Sequence, residues 1–167
     1  DKIEFLDIIG SLPGADKGKE EAHLDVVLEL GSLYNKPVHV HVDQLNTPDE
    51  KETELLCRKT MEWGMEGKVT AVHSISLAAH PIHYRKEVYK MAQDSGMMFI
   101  TCPTAWIDHP RSERLMPFHN AVTPVDELLE YGLTVAIGSD NIHDIYKPYA
   151  DGDMSTELRF LLESCKI

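Results

Sequence analysis

Five short apolar runs, rich in β-branched and aromatic residues, recur along this chain and constrain its fold more than any other feature. They are Ile3 to Ile9, Pro37 to Val42, Lys68 to Val72, Met97 to Cys102 and Leu133 to Ile137. Between them, apolar residues fall at helical spacing. Leu24, Val27, Leu28, Leu30 and Leu33 form one face; Leu55, Leu56, Met61 and Trp63 a second; Val88, Tyr89, Met91 and Ala92 a third. Val125, Leu128 and Leu129 mark a fourth, and Leu158, Phe160 and Leu161 a fifth after the last run. Gly64 with Gly67, Ser95-Gly96 and Gly132 stop the helices before the third, fourth and fifth runs. The resulting β-α alternation repeats every roughly 30 residues, as a βα crossover requires. It predicts a parallel sheet with helices outside. No low-complexity linker divides it, so residues 1–167 read as one domain.

Two architectures share that pattern, the open doubly wound sheet and the TIM barrel. The dinucleotide fingerprint Gly-x-Gly-x-x-Gly and the P-loop are both absent. Polar residues gather instead where a barrel carries its chemistry, at the C-terminal ends of the strands. The second run ends Val38-His39-Val40-His41-Val42-Asp43-Gln44, the third Thr70-Ala71-Val72-His73-Ser74, and the fifth Ala136-Ile137-Gly138-Ser139-Asp140-Asn141. Imidazole nitrogen and carboxylate oxygen suit zinc or iron(II) in a hydrolytic site. A single histidine on an apolar strand is more often a satisfied core residue, and an aspartate after glycine is often a turn cap. His41, His73 and Asp140 together, at one end of a parallel sheet, favour a site. His39 shares a face with His41, so the two are either a ligand pair or a ligand with a neighbour.

Lys and Arg number 16 against 28 Asp and Glu, for a net charge of −12. That balance argues against a nucleic-acid partner and an anionic membrane surface, both of which favour basic patches. The three cysteines Cys57, Cys102 and Cys165 form no Cys-x-x-Cys pair, so neither a zinc ribbon nor a disulfide framework is indicated. A reducing, cytoplasmic setting is expected. No apolar run is long enough for a transmembrane helix, and the first residues read as a strand entry rather than a signal peptide. The start without Met and the end inside a helical pattern predict a piece of a longer protein.

These strand ends resemble the amidohydrolase superfamily, specifically its cytosine deaminase-like branch with its N-isopropylammelide-hydrolase-like members. The matching motifs are Val-His-Val-Asp-Gln at 40–44, Val-Thr-Ala-Val-His-Ser at 69–74 and Ile-Gly-Ser-Asp-Asn-Ile-His-Asp at 137–144. The tail Pro148-Tyr149-Ala150-Asp151-Gly152-Asp153-Met154 also fits. The resemblance runs from near Pro13 to Met154 and implies a (β/α)8 TIM-barrel type of fold. This chain would be a partial barrel of about five parallel strands with flanking helices, strands four to eight of the family barrel. The resemblance makes His41 the fifth-strand metal ligand. It makes His73 the sixth-strand histidine that ligates metal or hydrogen-bonds water, and Asp140 the eighth-strand aspartate that contacts metal and accepts the water's proton. The cofactor implied is a divalent metal, zinc or iron(II).

The family departs from this sequence at two points. Its first-strand His-x-His pair is missing, because one βα unit between His41 and His73 cannot span strands one to five. Its glutamate proton shuttle, three residues after the fifth-strand histidine, is Gln44 here, and an amide cannot move protons as an acid. Asp43 faces the other way on a regular strand and substitutes poorly unless the strand ends there. The resemblance assigns Gln44, Asn141 and Tyr146 to substrate binding, with packing equally open for Tyr146.

The expected function is metal-dependent hydrolysis of a C–N bond in an amino-substituted heterocycle or cyclic amide, with a small-molecule heterocyclic substrate. A related amide hydrolase without nucleobase preference is one alternative. A non-catalytic fragment that self-associates as a half-barrel is the other, because open sheet edges favour a homo-oligomer. His80 and His83 read as solvated. His109, His119 and His143, with Trp106 and Ile107, lie in strand-end segments where pocket lining and surface positions are both open. The helix from Asp49 to Glu62 reads as carrying a solvated charged face.

Overall fold

The parallel ladder begins where the Ile9 amide donates to the Pro37 carbonyl at 3.0 Å. The computed structural model describes residues 2–105 and 121–167. Trp106, Ile107, His109 and His119 lie outside the described residues. The first expected run splits: Lys2–Phe5 is a turn of 3-10 helix, and strand β1 is Ile9–Ser11. The register explains this. Ile9 pairs with Val38, the first residue of strand β2, Val38–Val42. Residues before Ile9 would have to pair with the end of helix α1, Glu20–Tyr34, and its left-handed cap Asn35, which offer no ladder.

Strands β3, Val69–His73, β4, Met98–Thr101, and β5, Thr134–Ile137, follow where the apolar runs predict them. Helices α2, Glu52–Glu62, α3, Ile82–Asp94, α4, Val125–Glu130, and α5, Met154–Cys165, complete the alternation. The five strands are all parallel and lie in sequence order, β1-β2-β3-β4-β5. A doubly wound sheet reverses its order at a switch point. This one does not, so it is an arc of a barrel rather than a Rossmann-type sheet.

One face of the arc carries the core. Val38, Val40, Val42, Val69, Ala71 and Phe99 pack against Leu24, Leu28, Leu56, Val88, Tyr89 and Leu128 of the helices. Each fully buried aliphatic side chain contributes about 1.5–3 kcal/mol, so this layer dominates the stability. Gly31 is required by the packing of α1 on β2: a Cβ there would stand 2.6 Å from Val38 Cγ2 and 2.9 Å from Met65 Cε.

Polar ties hold the helices in place. The Ser11 hydroxyl, the His23 ring and Asp16 form a row with 2.6 Å contacts that ties β1 to α1. Arg85 grips Glu127 through two nitrogens at 2.9 and 2.6 Å, and the Tyr89 hydroxyl donates to the same carboxylate at 2.7 Å. The charged face of α2 is less solvated than its sequence suggests. Lys59 is buried and bridges Glu21, Asp25 and Glu62 at 2.9–3.0 Å. Among the described residues no helix is long and apolar enough to cross a membrane.

Candidate functional site

Val38, Val40 and Val42 point toward the helices, so His39 and His41 face the inner side of the arc. The register pairs Val42 with His73. Plain alternation would therefore aim His73 at the helices, beside Val69 and Ala71. His73 instead takes φ 78° and Ser74 φ 53°, a left-handed turn uncommon outside glycine. That turn brings the His73 ring to His41. His41 Nδ1 and His73 Nε2 are 3.0 Å apart, with ring centroids 5.0 Å apart. Beyond β5, Gly138 and Ser139 lead to Asp140, also left-handed at φ 62°. One ligand atom each from His41, His73 and Asp140 lies within 4.8 Å of the others.

The electrostatics favour ligation. His73 is 1% exposed. Burial, with His41 adding to it, pushes its pKa down to about 4, so its imidazole is neutral at pH 7. Asp140 is exposed at its rim, yet partial desolvation raises its pKa while the nearby His41 lowers it. His39 is half-buried, and its pKa falls through burial and then through His41. Neutral imidazoles and a carboxylate are the donor set of zinc and iron(II) hydrolytic sites. Two nitrogens about 2.1 Å from a tetrahedral ion stand roughly 3.4 Å apart, so the observed pair fits after opening by a few tenths of an ångström.

The turn after β2 is built by a residue that strand alternation hides. β2 does end at Val42, and Asp43 takes φ 51° with its carboxylate buried. That carboxylate accepts from the Glu52 and Thr53 amides at 2.7 and 3.0 Å, capping α2 from nine residues away. In return, the Asp43 amide donates to the Glu52 carboxylate at 3.0 Å. The Asp43 carbonyl accepts from the Ile75 and Ser76 amides, and Val42 from Ser74. The turns bearing His41 and His73 are thereby laced together. Glu50 adds bonds to the Leu45 amide and the Ser76 hydroxyl at 2.8 Å each. Asp43 thus serves the scaffold, not proton transfer.

The other expected residues divide. Gln44 is half-buried in this turn. Asn141 donates its amide to Asp144, whose carboxylate also accepts from the Tyr146 and Lys147 amides. Tyr146 is 78% exposed and, with Thr104, Tyr149 and Phe160, lines a cavity of about 300 Å³. Burial, with Asp140 and then Glu157 adding to it, pushes the thiol of Cys102, at the end of β4, up to about 12. A larger cavity of about 860 Å³ lies between the β1–α1 and β2–α2 connections, lined by Gly14, Glu50 and Arg58 but by none of the three clustered residues. His143 is exposed, with Nδ1 3.1 Å from the Pro148 carbonyl. His83 is exposed as expected. His80 is not solvated: it is buried, stacks on Tyr84 at 4.2 Å and contacts the Glu50 carbonyl at 2.7 Å. Pro81 opens α3 directly after it, and that turn folds the ring inward.

No family model matches the chain. A Haemophilus influenzae protein described as uncharacterized is 48% identical over 129 residues, 75% of this chain and 47% of that protein. N-isopropylammelide isopropyl amidohydrolase of a Pseudomonas species is 30% identical over 149 residues, 89% of this chain and 34% of that enzyme. Pterin deaminase of Rhizobium rhizogenes is 25% identical over 80% of this chain and 31% of its own. Among solved structures, 5-methylcytosine deaminase from Klebsiella pneumoniae, liganded with phosphonocytosine, superposes with a TM-score of 0.88. It is 27% identical over 96% of this chain and 40% of its own. The chain spans less than half the length of the curated relatives it matches. Over the part it spans, it is related to the deaminases of the amidohydrolase superfamily, and its five-stranded arc corresponds to part of their barrel.

Proposed function

We propose, from that kinship, that this chain supplies strands four to eight of a (β/α)8 barrel that hydrolyses a C–N bond in an amino-substituted heterocycle or cyclic amide. The convergence of His41, His73 and Asp140 within 4.8 Å carries the reading. His41, His73 and Asp140 would hold zinc or iron(II), which supplies Lewis acidity that makes water a nucleophile near neutral pH and polarises the attacked carbon. Asp140 takes the water's proton and delivers it to the leaving nitrogen. A carboxyl with a raised pKa suits both halves of that transfer. His73, kept neutral, ligates or hydrogen-bonds the reacting water. Gln44 and Asn141 offer neutral amides to the polar edge of the substrate, and Tyr146 an aromatic surface. An amide at Gln44 moves the substrate away from cytosine, where a titrating shuttle is needed.

The relatives' names support a small heterocyclic substrate with an amino or alkylamino leaving group. A reducing, cytoplasmic setting belongs to the same proposal, supported by three unpaired cysteines. The open edges of β1 and β5 support self-association of this chain. The test is release of ammonia or alkylamine from a panel of aminopyrimidines, aminotriazines and pterins by the metal-loaded whole barrel to which this chain would contribute strands four to eight. Release from at least one, abolished in Asp140→Asn, is expected. No release, or full activity in Asp140→Asn, overturns the reading.

A further inference from the structure

We propose that Thr123 is a positioning residue for the His41–His73 pair. Its hydroxyl holds the left-handed turn that aims the His73 imidazole at His41. Thr123 lies just before α4, with its own carbonyl bonded by the Val125 amide at 2.8 Å. Its hydroxyl donates to the His73 carbonyl at 2.5 Å, and it accepts from the Thr101 hydroxyl at 2.9 Å. Thr101 is 0% and Thr123 1% exposed, so water does not compete for these bonds. The result is a directed chain, Thr101 to Thr123 to His73, in which each bond polarises the next.

Such a chain acts where the backbone most needs it. His73 sits at φ 78°, and the direction of its side chain depends on that angle, because alternation alone would turn the ring toward the helices. The following residue is fixed from the β2 side: the Ser74 amide donates to the Val42 carbonyl, and its hydroxyl accepts from Thr53 at 3.0 Å. Thr123 grips the turn from the β4 side, at the carbonyl of His73 itself. The helix-bearing segment after β4 is thus coupled to the orientation of an imidazole two strands' width inside the sheet edge. Thr123 touches no reacting atom; it acts through His73.

The inference rests on the proposed metal-site reading, so the experiment separates the two. Three variants of this chain are compared: Thr123→Val, which keeps the shape and removes the hydroxyl; Thr123→Ser, which restores it; and Thr101→Val, which removes a buried hydroxyl and its polarisation of Thr123 but keeps the bond to His73. In the metal-free protein, ring-to-ring contacts between His41 and His73 are read by nuclear Overhauser effects. Zinc affinity is read by competition with a chelator. Thr123→Val is expected to lose the ring contacts and to weaken zinc binding on the order of 10-fold or more, as loss of an outer-shell partner does. Thr123→Ser is expected to restore both, and Thr101→Val to retain the ring contacts. Unchanged ring contacts in Thr123→Val, or equal loss in Thr101→Val, overturn the role. If the wild type binds no zinc, the metal reading fails, and the ring contacts still decide the role of Thr123. Should Thr123→Val not fold, the wild type decides: a Thr123 hydroxyl proton protected from exchange supports the bond, and one in fast exchange overturns it.

Discussion

Removing the Asp43 carboxylate tests how the site is held. Asp43 is 1% exposed and accepts two backbone amides of α2, from Glu52 at 2.7 Å and Thr53 at 3.0 Å. A hydrogen bond to a charged group is worth about 1.5–3 kcal/mol net, and loss of a helix cap about 1–2 kcal/mol. Asp43→Ala leaves both amides unsatisfied in a dry turn. Against this, burial raises the pKa of Asp43, so keeping it ionised carries a desolvation cost that alanine relieves. The balance is a loss of about 3 kcal/mol. With a urea slope of about 2 kcal/mol/M, the midpoint of unfolding falls by about 1.5 M. Asp43→Asn keeps one good acceptor and loses about half as much. Urea titration followed by circular dichroism measures both. A shift below about 0.3 M in Asp43→Ala, or an Asn variant as damaged as Ala, refutes the capping argument.

Two of the contributions to stability against pH oppose each other in the metal-free protein. Glu52 is pushed up to about 7, chiefly by burial. It binds its proton more tightly when folded, so stability falls as pH rises from about 4.5 to about 7. His73 is pushed down to about 4, so the unfolded chain takes up the proton first and stability falls as pH drops from about 6.5 toward 4. Glu52→Gln removes the first contribution, and melting temperature should then climb more steeply between pH 4.5 and 6.5 than in the wild type; overlapping profiles contradict this. Glu127→Ala strands Arg85 and frees Tyr89, and should cost about 3 kcal/mol in chemical denaturation, against about 1 kcal/mol for Tyr89→Phe. Equal losses would place the weight on the tyrosine instead. Gln44→Glu, made in the full-length barrel, should raise cytosine turnover relative to the wild type; a wild type that already matches the variant rules out Gln44 as a selector.

Strand positions were legible because runs such as Val38–Val42 and Val69–His73 are short, rich in β-branched residues and followed by turn residues. The order His41, His73, Asp140 was legible too, because each lies at or just past the C-terminal end of a strand. What escaped the sequence depends on single dihedral angles. Strand alternation points Asp43 away from the site, but a left-handed turn at that residue buries its carboxylate under α2. The same kind of turn is what rotates His73 back to His41, so motif order found the residue while alternation misdirected its side chain. Ile3 to Ile9 was apolar enough for a strand but had no neighbour along most of its length. His80 looked like a loop residue because its ring is buried by Tyr84 of the following helix α3 and by the carbonyl of Glu50 from the β2–α2 connection. Thr123, remote in sequence from both histidines, carries no local signal at all.

His41, His73 and Asp140 are the proposed metal-binding cluster. Its most direct measurement is the zinc or iron content and affinity of the metal-loaded chain, compared with His41→Ala, His73→Ala and Asp140→Asn. One ion per chain is expected, with affinity reduced on the order of 10-fold or more by each substitution. An ion that binds as tightly when all three are replaced, or no binding by the wild type, would contradict the account.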